Sequence, residues 1–291
     1  VVLKFYRPQR WSRAQIEEEH AFALELAAAE VPVVAPLLIG GRTLHEHGGF
    51  LFSVTPRRGG RAPELDDGDT LEWIGRFLAR LHTVGARRPF AHRPAVDVHG
   101  YAIEPRQWLL AHGALPLEAE RAWADASQDA IDSIAACAQW TGARAGIDPD
   151  PAGLATLRLH ADCHVGNILW TPADRPGGGP HFVDLDDCRG GPAVQDLWML
   201  LAGERAERQR QLGALLDGYE QVRDFDRREL ALIEPLRTLR LIHHSAWIAR
   251  RWDDPAFPAA FTGFGTPDYW RGQTQLLREQ IDAMAAPPLV A

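Results

Sequence analysis

A two-lobed α+β fold, with a small β-rich N-terminal lobe ahead of a large helical one, is predicted by three features of this 291-residue sequence. Runs of β-branched and aromatic residues are concentrated in the first 55 positions, a cluster of Gly, Pro and Arg interrupts the chain at 56–61, and helical periodicity dominates beyond it. The lobes are therefore residues 1–55 and 62–291, joined by a hinge at 56–61.

The opening run Val1-Val2-Leu3-Lys4-Phe5-Tyr6 reads as a strand closed by Pro8. After Trp11-Ser12-Arg13-Ala14, apolar residues return at helical spacing at Ile16, Ala23, Leu24, Leu26 and Ala27, which predicts a helix. Residues 31–36, 37–44 and 49–54 read as further strands, separated by Gly40-Gly41 and by a polar turn at 45–48. Beyond the hinge, Leu71, Ile74, Phe77, Leu78 and Leu81 share one face of a helix over 71–83, and the Ala-rich stretch 117–140 predicts another. Leu157-Arg158-Leu159-His160 is a short strand or a loop entry, and Ile168-Leu169-Trp170 pairs with Phe182-Val183 in a hairpin whose Pro/Gly-rich turn covers 171–180. Helical patterns over 194–201, 208–219, 227–251 and 269–284 complete the chain, with an aromatic-rich covering loop from Phe257 to Trp270.

Composition excludes several classes. A formal net charge of −8 without any long Lys/Arg run speaks against nucleic acid or an anionic membrane as partner. Three cysteines without a CxxC pair fit a reducing compartment, so the cytoplasm is the expected location. No stretch approaches the ~20 apolar residues that a spanning helix needs. The expected solution state is a monomer.

The segment His160-Ala161-Asp162-Cys163-His164-Val165-Gly166-Asn167 has the H-x-D-x-x-x-x-N spacing of a phosphoryl-transfer loop. Such chemistry needs a carboxylate to orient or deprotonate an attacking hydroxyl and hard oxygen ligands for Mg²⁺. Asp162 fills the first role and the Asn167 amide oxygen the second. Asp184, delivered by the strand Phe182-Val183 to a place beside that loop, is a second Mg²⁺ ligand. Lys4 on the opening strand and Glu19 on the following helix form a cofactor-holding ion pair that orients the phosphates of ATP. No Gly-rich strand pair precedes Lys4, so the sequence is expected to begin inside a domain with part of the nucleotide site missing.

Each residue alone has a plainer role: an isolated Asp-x-x-x-x-Asn caps turns, a strand lysine or a helix glutamate is often solvated, and His164 without zinc-like neighbours packs a loop. Asp186 and Asp187 stay open between solvated carboxylates and a metal contact. Arg250, Arg251 and Trp252 stay open between helix packing and an acceptor or phosphate contact. The ordered set, not any one member, carries the chemistry.

These residues resemble the aminoglycoside phosphotransferase and choline kinase superfamily. The likeness runs through Lys4-Phe5-Tyr6-Arg7-Pro8, the catalytic loop to Trp170, Phe182 to Asp187, and Gly191-Pro192-Ala193-Val194-Gln195-Asp196-Leu197-Trp198. It implies a protein-kinase-like fold and a cytoplasmic Ser/Thr protein kinase active in stress survival that uses ATP and Mg²⁺. It assigns proton acceptance to Asp162, metal binding to Asn167 and Asp184, nucleotide holding to Lys4 and Glu19, and support of the catalytic loop to Asp196. The superfamily usually carries Gly where this chain has Ala161, which matters if that backbone needs φ above zero. A small-alcohol acceptor (aminoglycoside, choline or homoserine-like) and a pseudokinase binding module are the competing readings.

Overall fold

The computed structural model describes residues 1–137, 153–172 and 174–291. In chain order its elements begin with β1 (Val2–Phe5), α1 (Arg13–Ala28), β2 (Leu44–His47), β3 (Phe50–Thr55), α2 (Gly68–Gly85), α3 (Glu104–Ala111) and α4 (Leu117–Ala136). They continue with β4 (Leu157–Leu159), β5 (Ile168–Thr171), β6 (Gly179–Phe182), β7 (Arg189–Gly191), α5 (Gln195–Trp198) and α6 (Arg205–Tyr219). The last are α7 (Ile233–Ala249), α8 (Ala256–Ala260) and α9 (Pro267–Ala285). A small sheet with one helix thus precedes a helix-dominated chain, the mixed α+β class that the sequence predicts. The predicted extension of α4 to residue 140 lies outside the described residues.

Two compact units divide the chain: Val1–Ala95 with Ala155–Asp226 and Val290–Ala291, and Val96–Leu154 with Arg227–Leu289. In the first, β1, β3 and β2 form an antiparallel sheet in that order, and Lys4 stands opposite Ser53. The β2–β3 turn is Gly48-Gly49, with φ of 56° and 81°, the left-handed pair that a two-residue hairpin requires. This corrects the predicted strand at 37–44 and turn at 45–48. Polar His45, Glu46 and His47 belong to β2, because that edge strand turns most of its length to solvent, where apolar alternation is not required. Residues 37–43 instead make a small bridged turn, Ile39 to Arg42, around Gly40-Gly41. Residues 31–36 are likewise not a strand of this sheet: Phe182 donates to the Pro32 carbonyl at 2.8 Å and accepts from Val34 at 3.0 Å, so this segment runs beside β6.

Helix α1 starts on a capping box in which Ser12 and Gln15 satisfy each other's backbone amides. It buries Ile16, Phe22, Ala23 and Leu26. Helix α2 begins at the Asp67 cap and presents Leu71, Ile74, Leu78 and Leu81 to the core. Its partner α6 crosses so closely that a Cβ at Gly75 would lie 1.9 Å from the Leu215 carbonyl oxygen, and one at Gly218 would lie 1.9 Å from that of Glu72. Glycine is needed at both places because only hydrogen fits between the backbones. The expected hairpin forms between β5 and β6, and Arg61 of the 56–61 segment exchanges backbone bonds with Trp170 at 2.7 and 3.0 Å.

In the second unit α4 packs on α9, with Trp123 and Trp270 edge to face at 5.4 Å. Trp252 packs at a tilt against Phe264, Arg250 pairs with Glu104 and covers Trp108, and Arg251 lies over Trp247. These contacts give the Arg250–Trp252 stretch packing partners within its own unit. The 257–270 stretch buries Phe257, Phe264 and Trp270, but it is not the loop expected: Phe257–Ala260 belong to α8 and Pro267–Trp270 open α9. Among the described residues no helix is long and apolar enough to cross a membrane. Cys137, Cys163 and Cys188 are all free thiols.

Candidate active site

Lys4, Glu19, Asp162, Asn167, Asp184 and Asp196 all lie in the first unit. Strand β4 ends at Leu159 and hands the chain to a loop whose backbone is fixed from beneath by α5. The buried Asp196 carboxylate accepts the amide of His160 at 2.9 Å and that of Ala161 at 2.7 Å. The neighbouring Gln195 donates to the Ala161 carbonyl at 2.8 Å and takes the Trp198 indole at 3.1 Å. Ala161 adopts φ of 66°, the left-handed conformation that costs an L-residue about 1–2 kcal/mol. Three hydrogen bonds from α5 therefore hold a turn that alanine does not favour, and Asp162 follows it.

His160 is buried and joins the loop to the end of β6: its Nε2 lies 2.9 Å from the Val183 carbonyl oxygen. A carbonyl only accepts, so Nε2 carries the proton and Nδ1 is left to receive the Asp162 amide at 3.4 Å. A second cross-link runs from the Val183 amide to the Asn167 carbonyl at 3.0 Å. Asn167 donates its side-chain amide to the Asp162 carbonyl at 2.9 Å, which leaves its amide oxygen as the acceptor end. The 160–167 loop and the 182–184 stretch are thus one hydrogen-bonded piece, with Asp162, Asn167 and Asp184 on adjoining segments. His164 caps the short turn to Asn167 by accepting the Gly166 amide at 3.0 Å, and its Nε2 stands 3.6 Å from Asp162, beyond hydrogen-bond reach.

Asp184 heads a turn in which Leu185 is buried among Phe22, Leu26, Leu81, Val84 and Cys188. The aspartate is itself left-handed, with φ of 59°, and its side chain is 56% exposed. Lys4 reaches it from β1 at 2.7 Å and also meets Asp186 at 3.3 Å. Glu19, buried behind, pairs with Arg93 at 3.3 Å. The Lys4 ammonium makes its contacts with Asp184 and Asp186, while Glu19 acts on it as a further buried negative charge.

Electrostatics follow from this crowding. Burial alone would push the Lys4 ammonium down, but Asp186, Glu19 and Asp184 together hold it well above the usual lysine range. Burial works to raise Asp184, and Lys4 overrides it and keeps the carboxyl below its ordinary value. Glu19 is pushed up to about 7 by burial, which Lys4 only partly offsets. Cys163 and Cys188, fully buried beside Asp162 and Asp187, have thiols pushed up by desolvation.

Three contributors were not read from the sequence. Arg10 spans Asp186 at 2.6 Å and Asp187 at 2.8 Å, and Arg93 donates to the Asp186 carbonyl at 2.5 Å. His82 of α2 sits between Asp196, at 3.1 Å, and the Tyr219 hydroxyl, at 2.9 Å. For His82 a signal existed: it falls on the apolar stripe of α2, and a buried histidine needs polar partners. Nothing local marks Arg10 or Arg93.

Among the described residues no three His, Cys, Asp or Glu side chains cluster as a ligand set. An exposed carboxylate and a neighbouring amide oxygen nevertheless fit a hard divalent cation that keeps several waters and takes its remaining ligands from substrate phosphates. Such a donor set does not fit a soft or tightly caged metal.

The model of the phosphotransferase enzyme family matches residues 1–233. Over 288 residues the chain is 46% identical to the "Serine/threonine protein kinase RdoA" of Salmonella typhimurium, covering 99% of this chain and 82% of the relative. The figures are the same for the "Stress response kinase A" of Escherichia coli K12. Among solved structures, the amicoumacin kinase hAmiN in complex with AMP-PNP, Ca²⁺ and Ami superposes with a TM-score of 0.70 at 18% identity, covering 99% of this chain and 82% of that one. The microcompartment-associated aminopropanol kinase gives 0.69 at 20% identity, covering 98% and 87%. At these identities the structural likeness is one of fold.

Proposed function

The chain belongs to the phosphotransferase enzyme family, and from that premise we propose that it transfers the γ-phosphoryl group of ATP, with Mg²⁺, to a serine or threonine hydroxyl of a protein. The observation that carries this reading is the double cross-link through Val183, which binds the Asp162–Asn167 loop to the stretch bearing Asp184. Asp162 orients the acceptor hydroxyl and takes its proton. The Asn167 amide oxygen and the Asp184 carboxylate hold Mg²⁺, which when bound neutralises phosphate charge. Lys4 and Glu19, in residues 1–55, serve the nucleotide: Lys4 brings a firmly held positive charge to the phosphates, and Glu19 reinforces it from behind. Residues 56–61 act as the hinge between this segment and the helical remainder.

The protein acceptor rests on the 46% identity, across nearly the whole chain, to relatives named as kinases of that class. A role in stress response, a cytoplasmic location and a monomeric state complete the reading. The fold neighbours named for small-molecule substrates make a small alcohol the alternative to be tested beside it. A pseudokinase would have lost a residue of the set, and Lys4, Glu19, Asp162, Asn167 and Asp184 are all present.

The test is phosphate transfer from radiolabelled ATP with Mg²⁺ to generic protein acceptors and to a panel of aminoglycosides, choline and homoserine. Label on protein and not on the alcohols is the expected result, and the reverse would move the acceptor to the small-molecule class. Asp162→Ala should lower turnover by roughly 10²–10⁴-fold, and a wild-type rate in that variant would remove Asp162 from its role.

A further inference from the structure

Gln15, Glu18 and Glu19 stand at i, i+3 and i+4 of α1 and so share one face of the helix. Residues 91–93 dock on that face. The Glu18 carboxylate accepts the amides of Ala91 at 2.6 Å, His92 at 2.8 Å and Arg93 at 2.7 Å, and the Gln15 side chain donates to the His92 carbonyl at 3.1 Å. The Arg93 side chain that leaves this segment is 0% exposed. Its nitrogens go to three places: Nε donates to the Gln15 carbonyl at 2.8 Å, Nη2 to Glu19 at 3.3 Å, and Nη1 to the Asp186 carbonyl at 2.5 Å. The guanidinium carbon also lies 4.3 Å from the centre of the Trp11 ring, just ahead of the Ser12 cap. Helix and aspartate turn are therefore joined through one planar group with a donor aimed at each partner, a geometry that a lysine ammonium does not supply. All of these residues lie in the first unit.

We propose that Arg93 is a positioning residue for the nucleotide: by holding Gln15 and Glu19 of α1 and the Asp186 carbonyl at once, it fixes the rotation of α1 against the 184–187 turn and keeps the buried charge of Glu19 acting on Lys4. The inference rests on the reading that Lys4 and Glu19 serve the phosphates of ATP. Successive residues of a helix are about 100° apart, so even a partial rotation of α1 carries the Glu19 carboxylate away from Lys4. Apolar packing, such as Leu185 on Phe22 and Leu26, resists separation of helix and turn but has no direction of its own. A buried ion pair adds little net stability over apolar packing of the same volume, whereas its directional bonds specify one register. Glu18 supports the arrangement by fixing the backbone from which Arg93 extends.

The experiment titrates ADP with Mg²⁺ into the purified protein by isothermal calorimetry, which reads the dissociation constant and the number of sites per chain separately. Wild type should bind. Arg93→Gln should raise Kd roughly 10–100-fold, the scale set by a small displacement of a positioned group, with the number of sites unchanged. A merely structural role would do the reverse, lowering the number of competent sites at an unchanged Kd, and that result would overturn the proposal. Arg93→Lys returns a charge to Glu19 without the three-way fork and should leave most of the loss in place; full recovery would show that charge alone, not position, is what Arg93 supplies. Arg88→Gln, which removes a cation that pairs with Glu25 on the same helix, should leave Kd as in wild type. A loss equal to that of Arg93→Gln would assign the effect to net charge and overturn the proposal. Should Arg93→Gln fail to fold, Glu18→Gln decides: an amide offers one acceptor oxygen where the carboxylate offers two, so the root of Arg93 loosens and Kd should rise several-fold, and an unchanged Kd there would overturn the proposal. Failure of wild type to bind ADP would sink the nucleotide reading of Lys4 and Glu19, and the role of Arg93 with it. Binding by wild type with an unchanged Kd in Arg93→Gln would sink the role of Arg93 only.

Discussion

His82 and Asp196 share a hydrogen bond of 3.1 Å in which neither side chain touches solvent. The carboxylate also receives two amides of the catalytic loop, so one acidic group in the core answers three donors. Removing it strands all three, whereas removing the histidine strands one carboxylate lone pair and takes one hydrogen bond from the Tyr219 hydroxyl. Asp196→Ala should therefore cost about 3–5 kcal/mol in urea unfolding, and His82→Leu about 1–3 kcal/mol. A cost for His82→Leu equal to that of Asp196→Ala would show that the loop amides do not depend on the carboxylate.

Ala161 lies in a conformation that glycine accepts without penalty. Ala161→Gly should raise stability by about 1 kcal/mol, seen as a melting temperature higher by roughly 2 °C. The loop bonds to Asp196 and Gln195 use backbone atoms only and survive the change. A lower melting temperature would mean that the methyl group packs more favourably than the backbone strains.

The crossing of α2 and α6 leaves no room at Gly75 for a side chain. The obstacle is the Leu215 backbone, which cannot rotate away, so the helices must separate. Gly75→Ala should destabilise by about 2–3 kcal/mol, measured by chemical denaturation. Gly213 of α6, where a Cβ meets nothing within 4 Å, supplies the control: Gly213→Ala should stabilise by about 0.5–1 kcal/mol through helix propensity.

Glu19 gives the pH dependence a sign. Burial raises its folded value to about 7, against about 4.3 for an unfolded glutamate. Between those values the folded chain keeps a proton that the unfolded chain has released, so this group's contribution is complete below about pH 4 and is lost as pH rises through 7. The urea midpoint should drop between pH 5 and pH 8, and Glu19→Gln should flatten that part of the curve. An unchanged slope in the variant would assign the dependence to another group.

That the stretches bearing Asp162, Asn167 and Asp184 adjoin was legible in the sequence because they lie within 23 residues and a short hairpin returns the chain to its own loop. Local order sufficed there. Lys4 and Glu19 were legible as positions on a strand and a helix, but the contacts of Lys4 with Asp184 and Asp186 were not, since packing makes them across 180 residues or more of sequence. Arg10 lies 177 residues from Asp187, and His82 lies 114 residues from Asp196, separations at which no periodic signal survives. The misplaced β2 has a simpler cause: two glycine pairs eight residues apart offer two hairpin turns, and apolar content favoured the wrong strand between them.

Two of the three thiols flank the site and are sealed within it: Cys163 follows Asp162 and Cys188 follows Asp187, both fully buried, while Cys137 is partly exposed at the end of α4. A thiol reagent added to the native protein therefore labels Cys137 and spares the others. The two protected sulfurs then serve as a clock for local opening. Delayed alkylation at Cys163 times release of the catalytic loop, and that at Cys188 times release of the aspartate turn, each resolvable by peptide mass without any substrate.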